Sequence, residues 1–541
     1  MFNSKILAAT CALLCGSQAL ALSVPETIQA KLDQTLFEQN CPYPIDGYHC
    51  YAFNTPEDYE KPQGTQAKMV FGFRPADGEA QGVLMFNYGG PGDSTTTTMA
   101  QMIENNYYPK ELLKNFHLVG LDPRGVGQSH FAQAFAHCAN PTDLDTDFFN
   151  AAGKCDLSQL NYLPLMNSYT LAKDIDALRD LLDEAQINFM GYSYGARVGL
   201  IYADLFPERL RALILDSPIT PQFTLAFFSI EQQVGLQKQM DFVQLKLQQQ
   251  FPEQLFKPLS KQGILAPRIL WHEDLWKFKR LASFDYSAEL AQNDLEQKEA
   301  VAKKLIQLLP ITMFQKERFH LTRKDWDALI RITTNLTPEQ VTWLIDFQMS
   351  QPKTNDQIMD AVLCSDRSAD DATIDAAFFF SLCDNISSGT QSDLQKQPIE
   401  VPTLIVGNEN DPRTPINWYQ QMVQLFPKAF RMQVKQSLEH GYLFNQQRLT
   451  RSEHHINADA LAIGFLLSPN ASTIRDPDTD VSMTQSVELK IPYEYLKRML
   501  PVKNPDDLSH AEAEVLIREA QAYVWIQLQE MLANQAQQHL N

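Results

Sequence analysis

The sequence predicts an α/β protein with a mostly parallel central sheet, and three observations carry that prediction. Six short apolar runs of strand length alternate with helical patterns. A Gly-x-Ser-x-Gly pentapeptide, Gly191 to Gly195, closes one of those runs and opens a helical stretch. At 541 residues the chain has room for one large domain with a substantial insertion, or for two domains.

The N-terminal segment "MFNSKILAATCALLCGSQALAL" carries one lysine, an apolar stretch of roughly eleven residues, and small residues at Ala19 and Ala21, which is the pattern of a cleavable secretory signal over residues 1–21. That stretch is too short to span a bilayer. Cys11 and Cys15 lie within it without the small-residue context of a lipid-attachment cysteine. The expectation is a secreted or periplasmic protein with no membrane partner in its mature form. Six further cysteines, Cys41, Cys50, Cys138, Cys155, Cys364 and Cys383, suit an oxidising compartment. Their proximity in sequence makes the local bridges Cys41–Cys50, Cys138–Cys155 and Cys364–Cys383 the economical pairing. Their spacing lacks the clustered Cys/His pattern of a zinc site, so no metal is expected. A formal charge of −20 argues against a nucleic-acid partner, because phosphate binding needs a basic face. The composition, 44% hydrophobic and 20% charged, is that of a globular chain and excludes fibrous and low-complexity classes.

The six runs are "VLMFNY" (83–88), "FHLVGLD" (116–122), "INFMGY" (187–192), "ALILDS" (212–217), "PTLIVG" (402–407) and "AFRMQV" (429–434). Their near-continuous apolarity predicts parallel strands buried on both faces. Between the second and third, "SYTLAKDIDALRDLLDEAQ" places Leu171, Ile175, Leu178 and Leu182 at helical spacing. After Ser193, "GARVGLIYADLF" runs without a breaker to Pro207 and reads as a helix. Ser193 therefore sits on a strand-to-helix turn, where the flanking glycines let the chain crowd and expose the hydroxyl.

A serine nucleophile needs a base, and the base needs an orienting carboxylate. In a nucleophile-elbow fold these follow in the order serine, acid, histidine, each beyond a later strand. "PTLIVGNENDPRTP" offers Asp411, and "FRMQVKQSLEHGY" offers His440 with Gly441 beside it. His454 and His455 are alternative bases on a helical stretch, and Glu409 and Asp366 are alternative acids. The developing oxyanion needs backbone donors: Tyr194 N–H after the nucleophile, and a second from "NYGGPGDS" (87–94), with Gly90 ahead of Gly89. In "LDPRGVGQS", Asp122 and Arg124 are placed to pair locally and brace the site.

The set "GGPG", "DPRGVGQS", "GYSYG", "LFPERLRALILDSP", "PTLIVGNENDPRTP" and "EHGY" resembles the secreted tripeptidyl aminopeptidase and prolyl aminopeptidase-like serine peptidases of the α/β-hydrolase fold. The resemblance covers most of residues 40–450 and is densest over 83–220 and 400–445. It implies an exopeptidase that acts near the free N-terminus of peptide substrates through a Ser193, Asp411, His440 triad. It also implies an oxyanion hole from Gly90 and Tyr194, and no metal or organic cofactor. The glycine loop departs from the pattern at Asp93, where relatives often continue with glycine, and at Asn87–Tyr88, where prolyl aminopeptidases usually show histidine. Asp93 either braces the loop or contacts a substrate amine.

The expected division is a signal peptide over 1–21, hydrolase core over 22–220 and 399–470, a helical cap over 221–398, and a helical C-terminal extension over 471–541. The long insertion carries helical patterns such as "PEQVTWLIDFQMS", and its "FFF" at 378–380 reads as cap core. The resemblance implies that the cap closes the substrate cleft and that its carboxylates hold the peptide amine. In the tail, Val515, Ile517, Ala520, Val524 and Ile526 suggest a docked amphipathic helix. A carboxylesterase or lipase would use the same triad, and a noncatalytic binding protein is the rival from another class. Nothing in the sequence assigns an oligomeric state.

Overall fold

A computed structural model describes residues 26–31, 34–133, 162–221, 398–411, 413–437, 440–444, 453–475 and 482–490, with short stretches between 222 and 397. Their strands in chain order are β1 (Phe37–Gln39), β2 (His49–Pro56), β3 (Gln66–Arg74), β4 (Val83–Asn87), β5 (His117–Leu121), β6 (Ile187–Tyr192) and β7 (Leu210–Asp216). There follow β8 (Thr403–Asn408), β9 (Phe430–Lys435), β10 (Ile474–Arg475), β11 (Ser482–Met483) and β12 (Ser486–Lys490). The principal sheet has the order β1-β2-β3-β5-β4-β6-β7-β8-β9-β12. Its first four members pair antiparallel, and every pair from β5 to β12 is parallel.

All six apolar runs are strands of the parallel part, and the pleat explains their composition. Val83 and Met85 of β4 enter one core, while Leu84 and Phe86 enter the other. The same division separates Leu213 and Leu215 from Ala212 and Ile214 on β7, and Ile405 from Leu404 and Val406 on β8. Both faces of β4, β6, β7 and β8 are covered, so both sets of alternate positions are mostly apolar, whereas β9 alternates buried Phe430, Met432 and Val434 with half-exposed Arg431, Gln433 and Lys435. On one face lie α2 (Ser168–Leu181), α3 (Tyr194–Leu205) and α5 (Ile416–Leu425); on the other lie α1 (Thr95–Glu104) and α6 (Glu453–Leu467). Helix α2 buries the expected Leu171, Ile175, Leu178 and Leu182. Its start is fixed by Asn167, whose side chain accepts the Thr170 N–H at 2.8 Å.

Two features depart from the sequence reading. The antiparallel ribbon β1–β3 was not among the expected strands, because polar residues such as Lys68 and Asn54 interrupt it where one face meets solvent. Residues 474–475, 482–483 and 486–490, placed within a helical extension, form strands instead, and β12 pairs with β9 at the sheet edge. The proposed tail helix around Val515 to Ile526 and the "FFF" at 378–380 lie outside the described residues, as does the expected signal segment 1–21. Of the cap, α4 (Pro338–Ser350) is helical as its pattern predicts. Cys41 and Cys50 are joined by a disulfide. Cys364 is also disulfide-bonded, whereas Cys138, Cys155 and Cys383 fall outside the described residues.

Arg124 does not pair with Asp122. It makes a bidentate ion pair with Asp174 of α2, Nε to Oδ2 and Nη2 to Oδ1 both at 2.9 Å, with both side chains almost wholly buried. Its remaining Nη donors reach the carbonyls of Pro56 and Glu57, and Tyr59 donates to Asp174 Oδ1 at 2.9 Å. The ion pair thus ties the loop after β5 to α2 and to the end of β2. Removing one partner leaves the other charge buried and uncompensated. Asp174→Ala should therefore destabilise the protein by about 3–5 kcal/mol in urea unfolding, whereas joint replacement of Arg124 and Asp174 by apolar residues should cost much less.

Candidate active site

β6 ends at Tyr192 and α3 begins at Tyr194, so Ser193 alone makes the turn. It does so at φ 55°, ψ −120°, a conformation that costs a non-glycine residue on the order of 1–3 kcal/mol. Ser193 N–H donates to the Asp216 carbonyl at 3.0 Å, and the Ser193 carbonyl accepts the Ala196 N–H at 3.0 Å. The two flanking glycines permit backbone-to-backbone contact. A Cβ on Gly191 would lie 2.1 Å from the Gly195 carbonyl oxygen, and one on Gly195 would lie 2.1 Å from the Asn87 carbonyl oxygen. The start of α3 is thereby pressed onto the ends of β6 and β4.

The glycine loop follows β4 and abuts this turn. A Cβ on Gly89 would lie 3.0 Å from Tyr194 N, and the Gly89 N–H is committed to Asn87 Oδ1 at 3.0 Å. Gly90, at φ 97°, leads through a cis peptide to Pro91. The loop ends at Ser94, whose hydroxyl accepts the Thr97 N–H and caps α1. Asp122 secures this end, accepting from Ser94 Oγ at 3.0 Å, Thr96 N at 2.9 Å and Thr96 Oγ1 at 2.7 Å. These donors occupy the carboxylate that the sequence reading assigned to Arg124. Burial pushes the Asp122 carboxyl up to about 6, against the opposing effect of its hydrogen bonds from Thr96 and Ser94.

Beyond β8, the carboxylate of Asp411 is wholly buried and meets His440 Nδ1 at 2.9 Å through Oδ2. Arg413 N and Thr414 N donate to Oδ1 at 2.9 and 3.1 Å, and Thr414 Oγ1 donates to Oδ2 at 2.6 Å. With Nδ1–H facing Asp411, the other imidazole nitrogen is the proton acceptor. The His440 ring keeps a partly open face, 16% accessible, and its neighbour Gly441 packs on Tyr192, the residue before Ser193. Asp93, on the glycine loop, is solvent-facing yet crowded enough that desolvation raises its carboxyl pKa, against the pull of nearby Arg413 and His440.

The alternative acids are engaged elsewhere. Asp366 is fully buried behind α3, where it accepts from Ser168 N at 2.7 Å, Ser168 Oγ at 2.9 Å and Tyr194 OH at 2.6 Å, with Arg197 at 3.4 Å. Glu409 accepts the Gln436 N–H at 2.7 Å and pairs with Lys435 at 3.7 Å. His454 and His455 belong to α6, whose later residues Ala458 to Leu466 pack on the other face of the sheet. A small cavity lined by Gly89, Pro91, Met166, Leu171, Tyr194 and Val362 lies behind the glycine loop; neither Ser193 nor His440 lines it. The sequence reading passed over Thr414, Asp216 and Ser217, and noted Asn87 only as a departure from the family pattern. Only Thr414 has a local signal, a hydroxyl three residues after an Asp in a proline-bounded turn.

The sheet order, the one-residue elbow and the serine, acid, histidine order are those of the α/β-hydrolase fold, and this chain has that fold. Residues 82–258 match the family described as alpha/beta hydrolase fold, and residues 372–453 match the family described as TAP-like protein. The chain is 32% identical over 214 residues to Serine protease Hip1 of Mycobacterium tuberculosis, covering 35% of this chain and 40% of that protein. It is 31% identical over 204 residues to the tripeptidyl aminopeptidase of Streptomyces lividans, covering 34% and 37%. Carboxylesterase B of Mycobacterium tuberculosis is 34% identical over 205 residues, covering 35% and 39%. The matched stretch thus spans about two fifths of the length of each of these relatives.

Two measurements check this geometry. Gly195→Ala forces a methyl group into the Asn87 backbone and should cost at least about 1–3 kcal/mol of stability in urea unfolding. For Asp122, the folded form keeps its proton between roughly pH 4 and 6 while the unfolded form loses it, so stability falls as pH rises through that window. Asp122→Asn should abolish that slope, up to roughly 1.4 kcal/mol per pH unit, in urea midpoints recorded across the same range.

Proposed function

We propose that this protein is an exported serine exopeptidase that hydrolyses peptide bonds near a free N-terminus through an acyl-enzyme on Ser193. The observation that carries the reading is the buried Asp411 carboxylate, saturated with donors and facing His440 Nδ1 at 2.9 Å, on a loop beyond the strained Ser193 elbow. His440 takes the Ser193 proton as Oγ attacks the scissile carbonyl, and Asp411 orients the imidazole and stabilises its cation. The N–H of Tyr194, in the first turn of α3, has no carbonyl of its own helix to serve and receives the developing oxyanion. Gly90 supplies the second donor, since the Gly89 N–H is already committed to Asn87. His440 then returns the proton to the leaving amine, and water hydrolyses the ester by the same route.

The TAP-like match and the relatives named as serine protease and tripeptidyl aminopeptidase support a peptide substrate. The Cys41–Cys50 disulfide supports an oxidising compartment and hence export. A carboxylesterase is the second reading, favoured by the relative named Carboxylesterase B. Tripeptide and single-residue anilides, each with a free or an acetylated N-terminus, separate the readings when assayed beside short acyl esters. Cleavage confined to free N-termini is the expected result; indifference to acetylation with faster ester turnover would establish the esterase. Ser193→Ala should lower kcat by about 10⁴-fold or more while the protein stays folded.

A further inference from the structure

Two residues outside the triad, Asp216 and Ser217, join all three of its loops. The Asp216 carbonyl accepts the Ser193 N–H at 3.0 Å, and its Oδ2 accepts the N–H groups of Tyr442 and Leu443, each at 2.7 Å. Ser217 Oγ accepts the Gly441 N–H at 2.9 Å and the Asn408 side-chain amide at 3.0 Å, and donates to Asp216 Oδ1 at 3.2 Å. Asn408 is the last residue of β8, immediately before the Asp411 turn. A hydroxyl offers one donor and two acceptor sites, so these three bonds fill the capacity of Ser217. Both residues are essentially inaccessible, and Ser217 is held at φ 50°, a left-handed conformation that aims its hydroxyl between the two later loops.

The contacts fall on the three residues that follow His440, and on the residue that makes the elbow. Apolar packing cannot set such loops to a fraction of an ångström, because what they present at this point is backbone N–H. We infer that Asp216 and Ser217 are positioning residues for the proposed reaction: they hold the His440 loop in register with the Ser193 turn and the Asp411 loop. This rests on the triad reading above. Neither residue touches substrate, so their loss should act on the chemical step rather than on binding.

The test uses the full-length oxidised protein with Ser217→Ala and the near-isosteric Asp216→Asn. Folding is followed by circular dichroism and thermal melting. The reactivity of Ser193 is read as the second-order rate of labelling by a fluorophosphonate, and kcat and KM are measured on whichever anilide or ester the wild type cleaves. Folded variants should label, and turn over at saturation, about 10–100-fold more slowly, with KM within about threefold. Labelling at the wild-type rate by a folded variant would overturn the inference. Loss of folding in both variants would also overturn it, by making the pair a folding element. Failure of the underlying triad reading looks different: the wild type itself would resist the fluorophosphonate, or Ser193→Ala would label equally well.

Discussion

The backbone contact at Gly191 and Gly195 is the constraint from which the site is built. Helix α3 starts so close to β6 and β4 that carbonyl oxygens stand where side chains would otherwise be, 2.1 Å from each absent Cβ. Only this crowding leaves a single residue to turn the chain, and that residue takes a conformation unfavourable for serine. Because β4 and β6 are neighbours in the sheet, the same contact fixes the glycine loop against the Tyr194 amide. The elbow and the proposed oxyanion donors are one packing event, set by two missing methyl groups.

Buried carboxylates hold the loops at this edge of the sheet. Asp122 takes the Thr96 N–H, Asp366 the Ser168 N–H, Asp411 those of Arg413 and Thr414, and Asp216 those of Tyr442 and Leu443. Each of these aspartates is at most 1% exposed. First turns of helices and the loops beyond strand ends leave backbone donors that no helix or ladder satisfies, and a carboxylate bonds them more strongly than a neutral acceptor does. Between these loops, the strands themselves are clamped between two apolar layers.

This division also sets what was legible in the sequence. The six parallel strands and α2 announce themselves because burial on both faces, or at helical spacing, writes a periodic apolar pattern. The Ser193 elbow and the Asp411–His440 contact were legible because the elbow is a local motif and the other two residues follow strands in a fixed order. The ribbon β1–β3 and the edge strand β12 were not, since a solvated face dilutes the pattern. Asp122, Asp216 and Asp366 bond partners far away in the sequence; Asp216, for example, reaches Tyr442. Nothing local distinguishes them from surface aspartates, and Asp366 resembled a candidate acid for that reason. The Asp122–Arg124 pairing failed on the same ground: proximity along the chain favoured it, while each group had a better-placed partner across the fold.

Placing carboxylates close to the Ser193 turn and the His440 loop has an electrostatic consequence. Negative charge near His440 suits the imidazolium formed during proton transfer and opposes an oxyanion. Under the proposed mechanism, the oxyanion must therefore be stabilised at very short range, by N–H dipoles that outweigh a more distant field. The elbow meets this requirement by bringing Tyr194 N and the glycine loop into contact. Asp93 is the sharpest case, since its side chain lies 3.2 Å from the place a Gly90 Cβ would occupy. A full charge there would work directly against an oxyanion at Gly90, and the desolvation that raises the Asp93 pKa weakens that opposition. Arg413 acts in the other direction on Asp93, favouring its charged form. An aspartate at position 93 is thus compatible with the proposed chemistry, because its desolvation disfavours the charge and Arg413 and His440 offset what charge it carries.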